Sequence, residues 1–331
     1  MKKYKLAILV SHPIQYQVPL YKKLAEHPKI DLMVYYCTDY GIKEKKDPGF
    51  GIKFKWDIPL LEEYNYKFLP NISLKPSNSF FGQINPSIII ELYKNEYDAI
   101  IIHGWSSFAN ILGIIGAKMS NTKIILKGEG DNLKNISNLI KIIKNLIYTL
   151  FFKIPNAFLY SYNKNKEYFK SYGVKEKKLF FFPCAVDNDL FQNELNKYES
   201  SRDKIKKKMG IDSKDIIILF VGKLIKRKRP IDLLKAFKNI RKDNENVSLL
   251  FVGDGEQKDE LENYINNNKL KKIYFSGFIN QSEISKYYSI GDIVVLPSEY
   301  DPSPKAVNEA MNFKLPLILS NKVGTAYDLV K

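Results

Sequence analysis

The densest run of chemically useful side chains is Ser298-Glu299-Tyr300-Asp301-Pro302-Ser303-Pro304-Lys305-Ala306-Val307-Asn308-Glu309-Ala310-Met311, directly after the apolar run Ile293–Leu296. Ser303 has the side chain of a helix N-cap, and Pro304 suits the first helical position, where its missing N–H costs nothing. The spacing predicts a helix over 305–312 with Ala306, Val307, Ala310 and Met311 on one face and Lys305, Asn308, Glu309 and Asn312 on the other. Unpaired N–H groups at such a helix start suit a phosphate or another anion. A plain surface helix with a Lys305–Glu309 pair worth about 0.3–0.5 kcal/mol fits the same residues, and the run alone leaves both readings open.

Other candidates are scattered along the chain. Only four of the 52 basic residues are arginine, and two of them, Arg227 and Arg229, flank Lys228. In a chain that uses arginine so sparingly, this points to phosphate contact, with a solvated basic loop as the plain alternative. His103 ends an apolar run, Ile100-Ile101-Ile102-His103-Gly104, and Glu129 ends the next in Lys127-Gly128-Glu129-Gly130. His12, Gln15 and Tyr16 follow the first apolar run in Ser11-His12-Pro13-Ile14-Gln15-Tyr16, where the amide and phenol can hydrogen-bond hydroxyl groups. For each of these a structural histidine, a turn acid or a loop cap is the rival.

These residues need elements to hold them, and the hydrophobic pattern supplies βα units. Short apolar runs at Leu6–Val10, Leu32–Tyr36, Ala99–His103, Ile124–Lys127 and Ala157–Ser161 alternate with helical stretches such as Val18–Glu26 and Ala109–Met119. A second series follows at Ile216–Val221, Ser248–Val252, Ile273–Ser276, Ile293–Leu296 and Leu317–Leu319, with helical patterns at Ile231–Arg241, Lys258–Asn266, Ser282–Ile290 and Lys305–Asn312. The expectation is α/β: two Rossmann-like doubly wound parallel-sheet domains facing a cleft, residues 1–190 and 191–331, divided in the polar segment Asp187–Asp215. Ligands in such sheets bind beyond the carboxyl ends of the strands, which is where His12, His103, Glu129 and Asp301 fall. The sequence ends at Lys331, just after a strand and a Val-Gly-Thr turn, so a truncated second domain is expected.

Composition narrows the classes further. The 331 residues carry 52 Lys+Arg against 36 Asp+Glu, a net charge of +16, with 45% hydrophobic residues, enough for substantial cores. Such charge draws a chain to anionic membranes, nucleic acid or phosphorylated ligands without choosing among them. Cys37 and Cys184 make neither a disulfide framework nor a CxxC knuckle, which fits a reducing compartment. Lys2, Lys3 and Lys5 precede only five apolar residues, too few for an export signal, and no run reaches the ~20 apolar residues of a membrane span. The stretch 138–152 mixes Lys141 and Lys144 with Leu139, Ile140, Ile142, Ile143, Leu146, Ile147, Leu150 and Phe151; it suits a basic interfacial helix on anionic lipid, or an ordinary buried helix. Neither Gly128-Glu129-Gly130 nor Gly253-Asp254-Gly255 reaches a third glycine, so no dinucleotide fingerprint is present, and there is no Walker A sequence.

The second half as a whole resembles glycosyltransferase family 4, the glycosyl transferases group 1, which are retaining enzymes of the GT-B fold. The resemblance runs through Phe220-Val221-Gly222-Lys223-Leu224 with Lys228, Phe251-Val252-Gly253-Asp254-Gly255, Phe275-Ser276-Gly277, Leu296-Pro297-Ser298 and the acid-x7-Glu pair Asp301 and Glu309. In the first half only Phe182-Pro183-Cys184-Ala185-Val186-Asp187 matches well. The resemblance implies catalytic roles for Lys223 and Lys228 on the leaving diphosphate, for Asp301 near the donor sugar and for His103 near the transferring group. It implies a donor site including Gly222, Ser303, Pro304, Lys305 and Glu309, the last receiving ribose hydroxyls; Arg227 and Arg229 join it as flanking cations. His12, Gln15, Tyr16 and Glu129 are expected on the acceptor side.

The sequence also departs from the family pattern. Lysine stands at 223 where many relatives have arginine, keeping the charge without the bidentate fork. Asp301 is one methylene shorter than the usual glutamate, Pro304 replaces a common glycine, and a glycine pair is missing around His12. Asp187-Asn188-Asp189 imitates the DxD metal motif of the other glycosyltransferase fold but follows a turn at the domain boundary, so it is expected to be structural, with no metal and no cofactor required. The implied partners are a nucleotide-sugar donor and a glycan or lipid-linked acceptor, in lipopolysaccharide or capsule-like polysaccharide synthesis, at a cytoplasmic location with contact to the inner face of the plasma membrane and no nucleic acid. The alternatives are a GT-B nucleotide-sugar epimerase or phosphorylase, and a non-catalytic polyanion binder. Acids at 301 and 309 give a polyanion binder nothing.

Overall fold

The computed structural model describes residues 2–47, 49, 51–77, 79–130 and 138–330. The chain divides into two compact units, residues 1–44 with 59–184, and residues 45–58 with 185–331. The main division falls near the expected residue 190. Residues 45–58, however, lie early in the sequence and yet belong to the second unit.

The strands run in chain order as β1 (Tyr4–Val10), β2 (Ile30–Tyr36), the hairpin β3 (Lys45–Lys46) and β4 (Lys53–Phe54), β5 (Asn65–Phe68), β6 (Ala99–His103), β7 (Lys123–Lys127), β8 (Ala157–Tyr160) and β9 (Leu179–Phe181). All but the hairpin form one parallel sheet in the order β5-β2-β1-β6-β7-β8-β9. Its central strands are covered on both faces, as continuous apolar runs require: Ala7, Ile8, Leu9 and Val10 are each at most 1% exposed. The helices are α1 (Val18–Glu26), α2 (Ser87–Asn95), α3 (Phe108–Met119), α4 (Asn138–Phe151) and α5 (Asn163–Ser171). The order in which successive strands are added reverses between β1 and β6, which places the loop holding His12 and the strand end holding His103 at the switch point of this parallel sheet.

The second unit repeats the scheme. Strands β10 (Ile216–Val221), β11 (Val247–Val252), β12 (Ile273–Gly277), β13 (Ile293–Leu296) and β14 (Leu317–Leu319) form a parallel sheet ordered β12-β11-β10-β13-β14. Helices α6 (Asn188–Glu199), α7 (Arg202–Lys208), α8 (Pro230–Asp243), α9 (Lys258–Asn267), α10 (Ile284–Ile290), α11 (Lys305–Asn312) and α12 (Ala326–Leu329) accompany it. The polar segment expected to hold the domain boundary carries two helices, α6 and α7. Asp187 caps the first by accepting a hydrogen bond from the Leu190 N–H at 3.0 Å, and Phe191 anchors it in the core. Here the switch point lies between β10 and β13, so the turn after Val221 and the loop after Leu296 are neighbours.

Candidate functional site

The turn after β10 is built by close backbone approach. Gly222 (φ 149°) donates its N–H to the Val252 carbonyl at 2.9 Å, and a side chain on Gly253 (φ 141°) would begin 2.0 Å from the Gly222 oxygen. Only glycine at 253 permits this turn, which sends Lys223 and then the 3-10 turn Lys226–Lys228 out from the strand end. Arg229 (φ 55°) ends the turn and Pro230 opens α8 at its first position.

Opposite, the loop after β13 returns to meet it. The Lys228 ammonium is ion-paired with Asp301 Oδ2, and the two residues are only 9% and 6% exposed. Asp301 is held from behind as well: its N–H donates to the Lys322 carbonyl at 3.2 Å, and its own carbonyl accepts from Gly324 N–H at 2.8 Å. The structure thus joins two residues that the resemblance places separately, one on phosphate and one on sugar. A buried pair with good geometry is costly to break from one side, about 3–5 kcal/mol. Arg227 donates through Nη1 to the Tyr300 carbonyl at 2.9 Å, and Glu299 N–H donates to the Arg227 carbonyl at 2.8 Å. Arg229 is paired with Asp232 at 2.7 Å and Glu299 at 3.6 Å. Both arginines therefore brace the loops. Lys223 Nζ meets Asp47 Oδ1 at 2.7 Å, a partner from the hairpin that the sequence did not indicate.

Helix α11 occupies the predicted residues, but its start differs by one. Pro304, with ψ 121°, stands outside the helix as the cap, and Ser303 Oγ accepts from Lys305 Nζ at 3.2 Å instead of from a helix N–H. The same ammonium also donates to the Ser303 carbonyl at 3.0 Å. Glu309, expected on the polar face, is buried, and its Oε2 accepts from the Tyr288 hydroxyl at 2.7 Å. Burial raises its pKa above the ordinary carboxylate value; hydrogen bonds from Tyr288 and Gln281 and the charge of Lys305 oppose that rise. Burial and the Glu309 charge likewise hold Tyr288 protonated. Tyr288 is the site neighbour that sequence reading missed, since nothing local links it to a glutamate 21 residues on.

In the first unit, His103 ends β6 and its carbonyl accepts from the Asn110 side-chain amide at 3.1 Å, while Ser107 caps α3. Burial, and secondarily the Lys127 charge, push its pKa well below the usual histidine value, so it is neutral near pH 7. Lys127 is itself buried at the end of β7, with its ammonium 4.9 Å from the Phe182 ring centre. Glu129 accepts a hydrogen bond from the Cys184 thiol at 2.8 Å, and its carbonyl accepts from Tyr162 at 3.1 Å. His12 shares a 2.8 Å hydrogen bond between Nδ1 and Ser11 Oγ and packs edge-on to Tyr40; Gln15 and Tyr16 are half-buried in the same loop. Among the described residues no group of three or more His, Cys, Asp or Glu side chains is arranged to hold a metal ion.

Residues 201–331 match the family described as Glycosyl transferases group 1. Over 251 residues the chain is 29% identical to the UDP-Gal:alpha-D-GlcNAc-diphosphoundecaprenol alpha-1,3-galactosyltransferase of Escherichia coli, a match covering 71% of this chain and 62% of that protein, so less than two-thirds of the relative's length is represented. A glycosyltransferase from Rickettsia africae superposes on all of the chain and 83% of its own with a TM-score of 0.71 and 19% identity. The Anabaena HepE protein, solved in complex with UDP, covers 99% of this chain and 83% of its own with a TM-score of 0.69 and 17% identity. The parallel strand orders of both units, the whole-chain structural likeness and the match over the second unit agree: the chain has the GT-B fold, and its residues 201–331 match the glycosyl transferases group 1 family.

Proposed function

We propose that the protein is a retaining glycosyltransferase that moves a sugar from a nucleoside diphosphate donor to a hydroxyl acceptor in cell-surface glycan or glycolipid synthesis, without a metal or cofactor. The observation that carries this is the Lys228–Asp301 pair at the switch point of a sheet whose sequence matches the family. As the glycosidic bond to the diphosphate breaks, negative charge grows on the leaving phosphate, and a pre-placed, largely dehydrated ammonium stabilises it more than water does. Lys223 and the N–H groups at the start of α11 add to that field, and Glu309 receives ribose hydroxyls. The leaving phosphate then helps deprotonate the acceptor on the same face, which retains configuration. Neutral His103 hydrogen-bonds the transferring group, and the loop of His12, Gln15 and Tyr16 contacts the acceptor. The test is transfer from radiolabelled nucleotide sugars in EDTA: Lys228→Ala should lower turnover about 100-fold or more, and near-normal turnover would remove Lys228 from the mechanism.

The relative from Escherichia coli names a UDP-sugar and a diphosphoundecaprenol-linked acceptor, which makes UDP-sugars and lipid-linked acceptors the first to try. One feature of the first unit favours a lipid-linked acceptor. On α4, Ile142, Ile143, Leu146, Ile147 and Leu150 form a stripe in which every residue is between 51% and 67% exposed. No aspartate or glutamate occurs from residue 132 to 166. An apolar stripe in an acid-free, lysine-bearing segment suits the headgroup boundary of an anionic bilayer and supports the reading of a peripheral enzyme on the inner face of the plasma membrane. No helix among the described residues is long and apolar enough to cross a membrane. The side chains of residues 138–141, Lys141 included, lie outside the described ones.

A further inference from the structure

The hairpin of β3 and β4 stands between two strands of the first unit in sequence but packs on the second unit. Its outgoing arm is anchored by aromatic and polar contacts together. Phe54 is 4.9 Å from Phe278 and 5.0 Å from Trp56 between ring centres. Asn280 donates its amide to the Lys55 carbonyl at 2.7 Å, and Ser282 donates its N–H to Asp57 at 3.2 Å and its hydroxyl to the same carboxylate. The incoming arm ends at Asp47, whose N–H donates to the Ile52 carbonyl at 2.9 Å and whose Oδ1 accepts from Gly49 N–H at 2.7 Å. That same oxygen is 2.7 Å from Lys223 Nζ. A side chain at 49 would lie 2.7 Å from Lys223 Cδ and 2.8 Å from Nζ, so the lysine stem runs against bare backbone. The Asp47 side chain is one-tenth exposed and that of Lys223 about one-third.

We propose that Asp47 is an internal competitor for Lys223, a specificity-determining carboxylate that a donor diphosphate must outbid. The inference rests on the donor-site reading given above. The hairpin sets a fixed negative charge in contact with the cation that the diphosphate needs. An incoming anion either displaces Asp47 from Lys223 or binds beside it against like-charge repulsion, and both routes lower affinity. Because Lys223 is partly solvated, the pair is weak enough to lose to a multiply charged ligand held also by Lys228 and α11. A weak anion touching Lys223 alone lacks that support. Asp47 thereby keeps the lysine satisfied in the empty protein and selects for ligands that engage the whole site.

The test is calorimetric titration of UDP, GDP and ADP into wild type, Asp47→Asn, Asp47→Ser and Lys223→Gln, with each variant's fold checked by thermal melting. For whichever nucleotide binds, both Asp47 variants should bind roughly three- to tenfold tighter, the effect of removing one partly exposed counter-charge. Adding Asp47→Asn to Lys223→Gln should give no such gain, because the contested cation is already gone. Unchanged or weaker binding in both Asp47 variants while wild type still binds overturns the competition and leaves the donor site standing. Absence of binding by wild type and all variants overturns the donor site itself, and the inference with it.

Discussion

Glu309 sits where burial and hydrogen bonding oppose each other, and burial prevails. Its folded pKa lies above that of the unfolded chain, so the folded state holds the proton more tightly. Stability from this source is complete below the ordinary carboxylate pKa and is lost as pH rises through the raised folded value. The difference in melting temperature between wild type and Glu309→Gln should therefore shift against wild type over that rise, as thermal melts from acid to neutral pH will read; a difference independent of pH would contradict the assignment. How far such residues were legible depends on the distance over which they act. Asp301 and Glu309 stand out because one loop and one helix carry both. Tyr288 and Asp47 do not, because their partners are 21 and 176 positions away and only the folded backbone brings them together. Arg227 and Arg229 were marked by their rarity, yet the folded loops occupy them with Tyr300, Asp232 and Glu299.

Among the elements, strands covered on both faces declared themselves. The expected runs Ile216–Val221 and Ile293–Leu296 coincide with β10 and β13, both inside the sheet, because uninterrupted apolar runs of that length have few other uses in an α/β chain. Polar elements did not. Strand β5 reads Asn-Tyr-Lys-Phe with three exposed residues, and α6 and α7 are so rich in Lys, Glu and Asn that their few buried side chains, Phe191 chief among them, hardly show as a pattern. Helix α4 has the reverse relation to its sequence: strongly apolar, yet its apolar stripe is exposed. If that stripe meets lipid, Ile142→Ser with Leu146→Ser should reduce co-sedimentation with vesicles containing about one-third phosphatidylglycerol by severalfold while leaving nucleotide binding intact. Equal sedimentation would place the lipid contact elsewhere. Each residue moved out of the bilayer boundary loses apolar burial of about 1.5–3 kcal/mol, so two suffice for a clear signal.

For the whole molecule, a net charge of +16 admits many anionic partners, and composition by itself leaves a polyanion binder in contention. The folded chain sets acids against the lysines of the proposed donor site: Lys228 with Asp301, Lys223 with Asp47, and Lys305 near Glu309. A surface built for polyanions would not set carboxylates against its central cations. The two-unit division was legible from the repeated strand series, whereas the early hairpin's place in the second unit was not, since no local pattern says which core a short segment joins. The most direct measurement of the central claim is calorimetric titration of UDP, GDP and ADP in the presence of EDTA, on wild type and on Glu309→Ala. One nucleotide should bind without metal, and the substitution should weaken it about tenfold or more, as expected when hydrogen bonds to a charged group are lost. Binding unaffected by Glu309→Ala, or abolished by EDTA alone, would contradict the donor site described here.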